Sequence, residues 1–195
     1  MFYTKQTPNY RYLLEHYLSR DRKSSVSRLR PTTSRVLNAM FSMIGPEGVY
    51  GLRILELYAG KGSFGFEAIN RGAQHVIFVE NNKARCERLA KDLERKGFSD
   101  RSSIHCADVL KSTDWLKGRF DIIFADPPYT IKPFNDLIVK IENNELLHPN
   151  GIVFLEHSSN LNLEQSIGGM GLVTKRKYGD SAISVFNNYK SQLRE

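Results

Sequence analysis

Asp126, Pro127, Pro128 and Tyr129 stand together in the chain, and their types suit one kind of chemistry. The Asp126 carboxylate is an acceptor. The Pro127 carbonyl is a second acceptor, held stiff by the paired rings. Tyr129 adds a flat aromatic face. Two acceptors beside an aromatic plane fit a planar group bearing an NH2, such as the exocyclic amine of a nucleobase. The lone pair of such an amine is delocalised into its ring, which makes it a poor nucleophile. Acceptors for both hydrogens draw the nitrogen toward tetrahedral geometry and free that pair. A plain Pro-Pro turn carrying a solvated Asp is the alternative reading of the same four residues.

A second stretch suits a nucleoside cofactor. Glu56, Tyr58, Ala59, Gly60, Gly62 and Gly65 fall within ten residues. Glycines there let the backbone approach a ligand, and a helix N-terminus behind them favours anions. Glu80 lies twenty residues beyond Gly60, followed by Asn81. An acid at that place can accept hydrogen bonds from ribose hydroxyls. The Gly60-x-Gly62-x-x-Gly65 spacing also fits a nicotinamide dinucleotide. Three features tilt the choice to S-adenosylmethionine. Glu56 precedes the glycines, where an acid can meet a cationic amino-acid moiety but would repel a pyrophosphate. Asp108 follows the third expected strand, after Cys106-Ala107, and could accept from an adenine amine, or simply cap a helix. The Asp126 corner has no part in hydride transfer.

These residues need elements to position them. Phe120–Ala125 is an apolar run that reads as a strand buried on both faces. The two prolines stop it, so Asp126 sits at the strand's carboxyl edge, where open α/β sheets bind ligands. From Gly51 onward strand and helix alternate. Strands are expected at Arg53–Leu57, His75–Glu80, Ser102–His105, Phe120–Ala125 and Gly151–His157, with helices at Ser63–Arg71, Lys83–Lys96 and Phe134–Asn143. The pattern predicts a doubly wound, Rossmann-like α/β sheet, mostly parallel. Leu172–Tyr178 and Ala182–Asn187 have no helix between them and predict an antiparallel C-terminal edge hairpin. A loop with Gly168, Gly169 and Gly171 precedes them. Thr32 or Thr33 can cap a helix that runs through Ile44 and ends at Gly45-Pro46.

The composition is that of an ordinary globular chain: 195 residues, 41% hydrophobic and 25% charged. No apolar stretch approaches the ~20 residues needed to span a bilayer, and the N-terminus has no apolar signal region. Cys86 and Cys106 are the two cysteines. They are too few for a disulfide scaffold and lack metal-ligand spacing, so a cytoplasmic setting and no metal are expected. Residues 1–35 carry +6 of the net +7. Residues 1–30 therefore read as a basic arm, and 31–195 as the catalytic domain. With Tyr3, Tyr10, Tyr12 and Tyr17 interleaved, the arm suggests RNA as the polyanion it meets. A solvated tail reads the same charge equally well. The five histidines read as structural or solvated.

The combination resembles the class I S-adenosylmethionine-dependent methyltransferases that act on amines. More closely it is similar to the bacterial family that methylates N2 of one guanine in small-subunit ribosomal RNA. The matching pieces are Leu29-Arg-Pro-Thr-Thr-Ser-Arg35, Glu56 to Gly65, Asp126 to Tyr129, and Tyr178-Gly-Asp-Ser-Ala-Ile-Ser-Val185. The last is the more telling, because Asp-Pro-Pro-Tyr also occurs in DNA adenine and protein glutamine methyltransferases. Residues 1–28 lack the family's glycine-containing basic hairpin, and Ser34 stands where the family often has Asp. The resemblance implies ribosomal RNA or the small ribosomal subunit as partner and no membrane. The oligomeric state stays open, with a monomer favoured. The competing readings are a DNA adenine methyltransferase, a nicotinamide oxidoreductase and a non-catalytic RNA-binding module.

Overall fold

The structure is a computed structural model that describes residues 32–45, 48–128 and 134–188. The proposed basic arm, Pro46 and Tyr129 lie outside these. Helix α1 (Thr32–Ile44) leads into β1 (Arg53–Leu57), α2 (Ser63–Asn70), β2 (His75–Glu80) and α3 (Lys83–Arg95). Then come β3 (Ser102–Cys106), the single turn α4 (Val109–Ser112), β4 (Phe120–Ala125) and α5 (Phe134–Asn143). Four strands close the chain: β5 (Leu147–Ser158), β6 (Ser166–Ile167), β7 (Met170–Tyr178) and β8 (Ser181–Asn188). They form one sheet in the order β3-β2-β1-β4-β5-β8-β7-β6. β1 to β5 run parallel, and β8, β7 and β6 add in antiparallel fashion. The expected α/β architecture with an antiparallel edge is what the chain adopts.

Strand residues alternate between two apolar layers, as a pleat requires. Ile54, Phe78, Ile122, Phe124, Phe154 and Ile183 meet α1, α2 and α3 on one face. Leu55, Leu57, Ile123, Ala125, Val153 and Leu155 meet α4 and α5 on the other. Phe64 ties the first layer together. Its ring stacks 5.0 Å from Phe41 of α1 and lies 5.0 Å from Phe124 of β4. It also lies 6.3 Å from Phe154 of β5.

Three strands depart from expectation in instructive ways. β5 starts at Leu147 rather than Gly151, because a register shift between Phe120 and Ile122 of β4 accommodates Pro149 inside the strand. β8 is buried along nearly its whole length, with β7 as its outer neighbour. Gly171 lies within β7, not in a loop, while Gly168-Gly169 forms the turn from β6.

Register decides what gathers at the carboxyl edge. Leu57, Ala125 and Leu155 lie level on β1, β4 and β5. The next residues, Tyr58, Asp126 and Glu156, therefore emerge side by side. β1 has β2 on one side and β4 on the other, which makes this the point where strand order reverses and ligands bind. Replacing Phe64 with alanine should cost roughly 3–5 kcal/mol of unfolding free energy. Denaturant titration checks this, and a loss below about 1 kcal/mol would mean Phe64 is not the pin joining α1 to the sheet.

Candidate active site at the carboxyl edge of the sheet

Glu56 is the most deeply placed acid of the edge, only 2% exposed. Its Oε2 accepts from the Gly65 amide at 2.7 Å, and its Oε1 accepts from the Phe64 amide at 3.4 Å. These are first-turn donors of α2, which have no partner within a helix. The carboxylate therefore spans from β1 to the helix N-terminus. Burial pushes the Glu56 carboxyl up to about 8, outweighing the two amides, and the Asp126 charge adds to the rise.

The three glycines divide their work. A Cβ on Gly65 would stand 2.3 Å from the Phe78 ring and 2.6 Å from Glu56 Oε2. A Cβ on Gly62, where φ is +69°, would meet Leu89 at 2.7 Å and Phe78 at 3.0 Å. Both are glycine so that the loop and α2 can press onto β2 and α3. Gly60 differs: φ is +56°, and a Cβ would find only the Tyr58 carbonyl within 4 Å, at 3.8 Å. Gly60 is the position where the loop faces open space. Tyr58 is itself at φ +56°, an uncommon conformation for a residue with a side chain. The Ala59 amide holds the loop to β2 through the Val79 carbonyl at 3.0 Å.

Glu80 ends β2, 3% exposed. Its Oε2 accepts from the Gly60 amide at 2.8 Å, and its Oε1 from the Asn82 amide at 2.9 Å. Arg85 of α3 stands 3.7 Å away. Exposed Asn81 follows it, and Asn82 caps α3 by accepting from the Arg85 amide. Asp108 is exposed and caps α4, accepting from the Lys111 amide at 3.0 Å. Burial, with the Asp108 charge behind it, raises the Tyr58 hydroxyl. Cys86 and Cys106, twenty residues apart, meet beside Glu80: Cys86 donates to the Glu80 carbonyl at 3.3 Å, and burial with the Cys106 contact pushes its thiol up to about 12.

Asp126 is open to solvent, Pro127 is buried and Pro128 is exposed. The surrounding protein still pushes the Asp126 carboxyl up to about 6. Glu156 and Ser181 were not foreseen as site residues. The signals were an acid closing an apolar run, for Glu156, and membership of the Tyr178–Val185 stretch, for Ser181. Tyr178-Gly179-Asp180-Ser181 proves to be a tight β7–β8 turn, with Gly179 at φ +68°, and the Ser159 amide donates to the Asp180 carbonyl at 2.8 Å. β8 starts where β5 ends, so this turn stands on the same edge as Asp126. A cavity of about 350 Å³ opens between Gly60-Lys61 and α3, rimmed by Arg85 and Arg88. The described histidines are placed structurally or at the surface; His157, for one, is buried between the Ser158 carbonyl and the Ser184 hydroxyl. Among the described residues no cluster of His, Cys, Asp and Glu is placed to hold a metal.

The family model described as "Conserved hypothetical protein 95" matches residues 20–187. The chain belongs to this family. Ribosomal RNA small subunit methyltransferase D of Haemophilus influenzae is 33% identical over 135 residues, 66% of this chain and 67% of that one. YlbH of Bacillus subtilis is 29% identical over 160 residues, 80% of this chain and 86% of that one. Among solved structures, a Thermus thermophilus 16S rRNA N2 G1207 methyltransferase in complex with AdoMet and guanosine superposes with a TM-score of 0.65 at 26% identity. That match covers 84% of this chain and 44% of that one. The fold is that of the class I methyltransferases, and the family is a family of methyltransferases. The match begins inside the stretch read from sequence as a basic arm.

The raised Glu56 carboxyl has a consequence for stability. Its protonated form is favoured by folding, so its contribution is complete below the ordinary value of 4.5 and is lost as pH rises through about 8. Glu56→Gln is neutral throughout and keeps an acceptor for Gly65. Between pH 5 and 8 it should flatten the fall of stability with pH by up to ~1.4 kcal/mol per pH unit. Thermal or urea unfolding across that range checks it, and identical slopes would contradict the assigned burial.

Proposed function

We propose that the chain transfers a methyl group from S-adenosylmethionine to the exocyclic N2 amine of a guanine in small-subunit ribosomal RNA. The observation that carries this reading is Asp126, presented at the carboxyl edge beside the Gly60 loop. The names of the relatives support ribosomal RNA as the substrate class, and a cytoplasmic setting follows from it.

The residues at the edge fit this cofactor better than a dinucleotide. A pyrophosphate needs the free amides of a helix N-terminus. Here Glu56 occupies two of those amides on α2 with a carboxylate. That leaves phosphates no free amides, while the remaining lone pairs of this largely protonated acid can accept from a methionine ammonium. Gly60, with Tyr58 and Ala59 shaping the loop and Gly62 packing it onto Phe78 and Leu89, would line the methionine end. Glu80 spends one lone pair on each backbone amide and keeps acceptor capacity for ribose hydroxyls. Asp108, with one oxygen on its helix cap, would accept from adenine, and Asn81 borders the same side. When bound, the cofactor supplies an activated methyl on a sulfonium sulfur, so the protein need not supply a metal.

The chain's own task is to hold and prepare the amine. Asp126 accepts one amine hydrogen and the Pro127 carbonyl accepts the other. Buried Pro127 and its neighbour Pro128 keep both acceptors fixed. Tyr129, outside the described residues, would stack on a base drawn out of its helix. Most of the acceleration comes from orienting the nitrogen lone pair. Asp126 receives a proton only after the nitrogen has become cationic, so a carboxyl near 6 is basic enough at neutral pH. The basic residues 1–30 would meet RNA phosphates.

Asp126→Ala should bind S-adenosylmethionine within about threefold of the parent by calorimetry. It should lose roughly 10²–10³-fold in methyl transfer to small-subunit RNA, the scale of removing one preorganised hydrogen bond. Near-parental transfer would remove Asp126 from the mechanism.

A further inference from the structure

The corner at Asp126 grips an NH2 group, and adenine carries one as well as guanine. Acceptors for an amine therefore leave the choice of base open. The two purines differ in the ring atom beside the amine. Guanine presents N1–H, a donor, next to its N2 amine, whereas adenine presents a bare N1 acceptor next to its N6 amine.

Glu156 stands where that ring atom would be read. Leu155 is level with Ala125, the last residue of β4, so Glu156 on β5 stands beside Asp126, the next residue, whose charge it feels. Leu155 and Ala125 both point into the α5 layer, so Glu156 rises from the opposite face, the one on which Glu56 meets α2. Neighbouring strands stand about 4.8 Å apart. Two carboxylates rooted about one strand spacing apart can converge on neighbouring donors of one ligand edge. Ser181, brought to the edge by the Gly179-Asp180 turn, hydrogen-bonds to the Glu156 side chain. A carboxylate has about four lone-pair sites, so one oxygen can be anchored and the other left for a ligand. Burial and the nearby Asp126 charge push the Glu156 carboxyl up to about 7. Two crowded acids that repel each other are well served by a ligand edge that is all donors.

We propose that Glu156 is the specificity-determining residue of the site, accepting the N1–H of the guanine whose N2 amine is held at Asp126. Adenine is rejected by the ionised acid, because its N1 lone pair would face a carboxylate oxygen. The inference rests on the guanine reading above and goes beyond it by naming the residue that selects the base.

2-Aminopurine separates the two claims, since it keeps the 2-amine and lacks the N1 hydrogen. A short RNA is made with either guanine or 2-aminopurine at the methylated position, and kcat/KM is measured for both at pH about 8.5, where the Glu156 carboxyl is ionised and only accepts. The parent enzyme should prefer guanine by roughly 10²-fold or more, because a site built for a donor rejects an analogue lacking it. Glu156→Ala should slow on guanine yet hold its rate on 2-aminopurine, closing the gap to within about threefold. Glu156→Gln, which keeps an acceptor oxygen and the side-chain shape, should fall between. Equal loss on both bases in both variants would show that Glu156 only supports the fold and would overturn the inference. A parent enzyme that prefers guanine, with variants that prefer it equally, would do the same while leaving the methylation reading intact. A parent enzyme that methylates neither base would remove the guanine reading and this inference together.

Discussion

A single buried carboxylate sets the geometry of this protein. Glu56 reaches from β1 to the first amides of α2, fixing the angle at which that helix leaves the sheet. Gly65 must be glycine because a Cβ would collide with the same carboxylate and with Phe78. The helix so placed puts Phe64 against Phe41, Phe124 and Phe154, which locks α1 onto β4 and β5. It also carries the loop that turns Gly60 toward open space. The same contact decides the electrostatics of the edge, because amides that could receive a phosphate are already satisfied.

The second constraint is the abrupt end of β4. Proline cannot continue the ladder, so the chain leaves the sheet at Asp126 while β5 runs on alongside for three further residues, through Ser158. The staggered ends leave a step. The Asp126 charge acts on Glu156 across it, and Ser181, just past the Gly179-Asp180 turn, bonds the Glu156 side chain. Glu80 stands two strands away on the other side of β1, bonded to Gly60. Two half-sites therefore share one edge: acids and a glycine over β1 and β2, acids and prolines over β4 and β5. A methyl donor on the first half and an amine on the second would meet at the point where strand order reverses.

Much of this was legible in the residues. β2, β4 and α5 fall where their patterns put them, because a strand covered on both faces reads as a continuous apolar run and a helix as a 3.6 period. What the pattern could not carry depends on register or on contact across the chain. Pro149 and Gly151 look like a break before β5, yet a bulge against Phe120 lets the strand begin earlier. Four residues at α4 and two at β6 are too short to show any period. The glycine spacing pointed to a ligand loop, but only the packed structure separates Gly60, which faces outward, from Gly62 and Gly65, which face Phe78. Glu56 seemed free to meet a ligand and is instead engaged by backbone. The closeness of Cys86 to Cys106 comes from α3 packing beside the end of β3, and that of Glu156 to Asp126 from strand pairing; neither shows in spacing.

The most direct measurement is the identity of the product. The purified protein is incubated with small-subunit ribosomal RNA and S-adenosylmethionine carrying an isotopically labelled methyl group. The RNA is then digested to nucleosides and resolved by mass spectrometry. The account predicts label in N2-methylguanosine. Label in N6-methyladenosine, or none in any nucleoside, would contradict it.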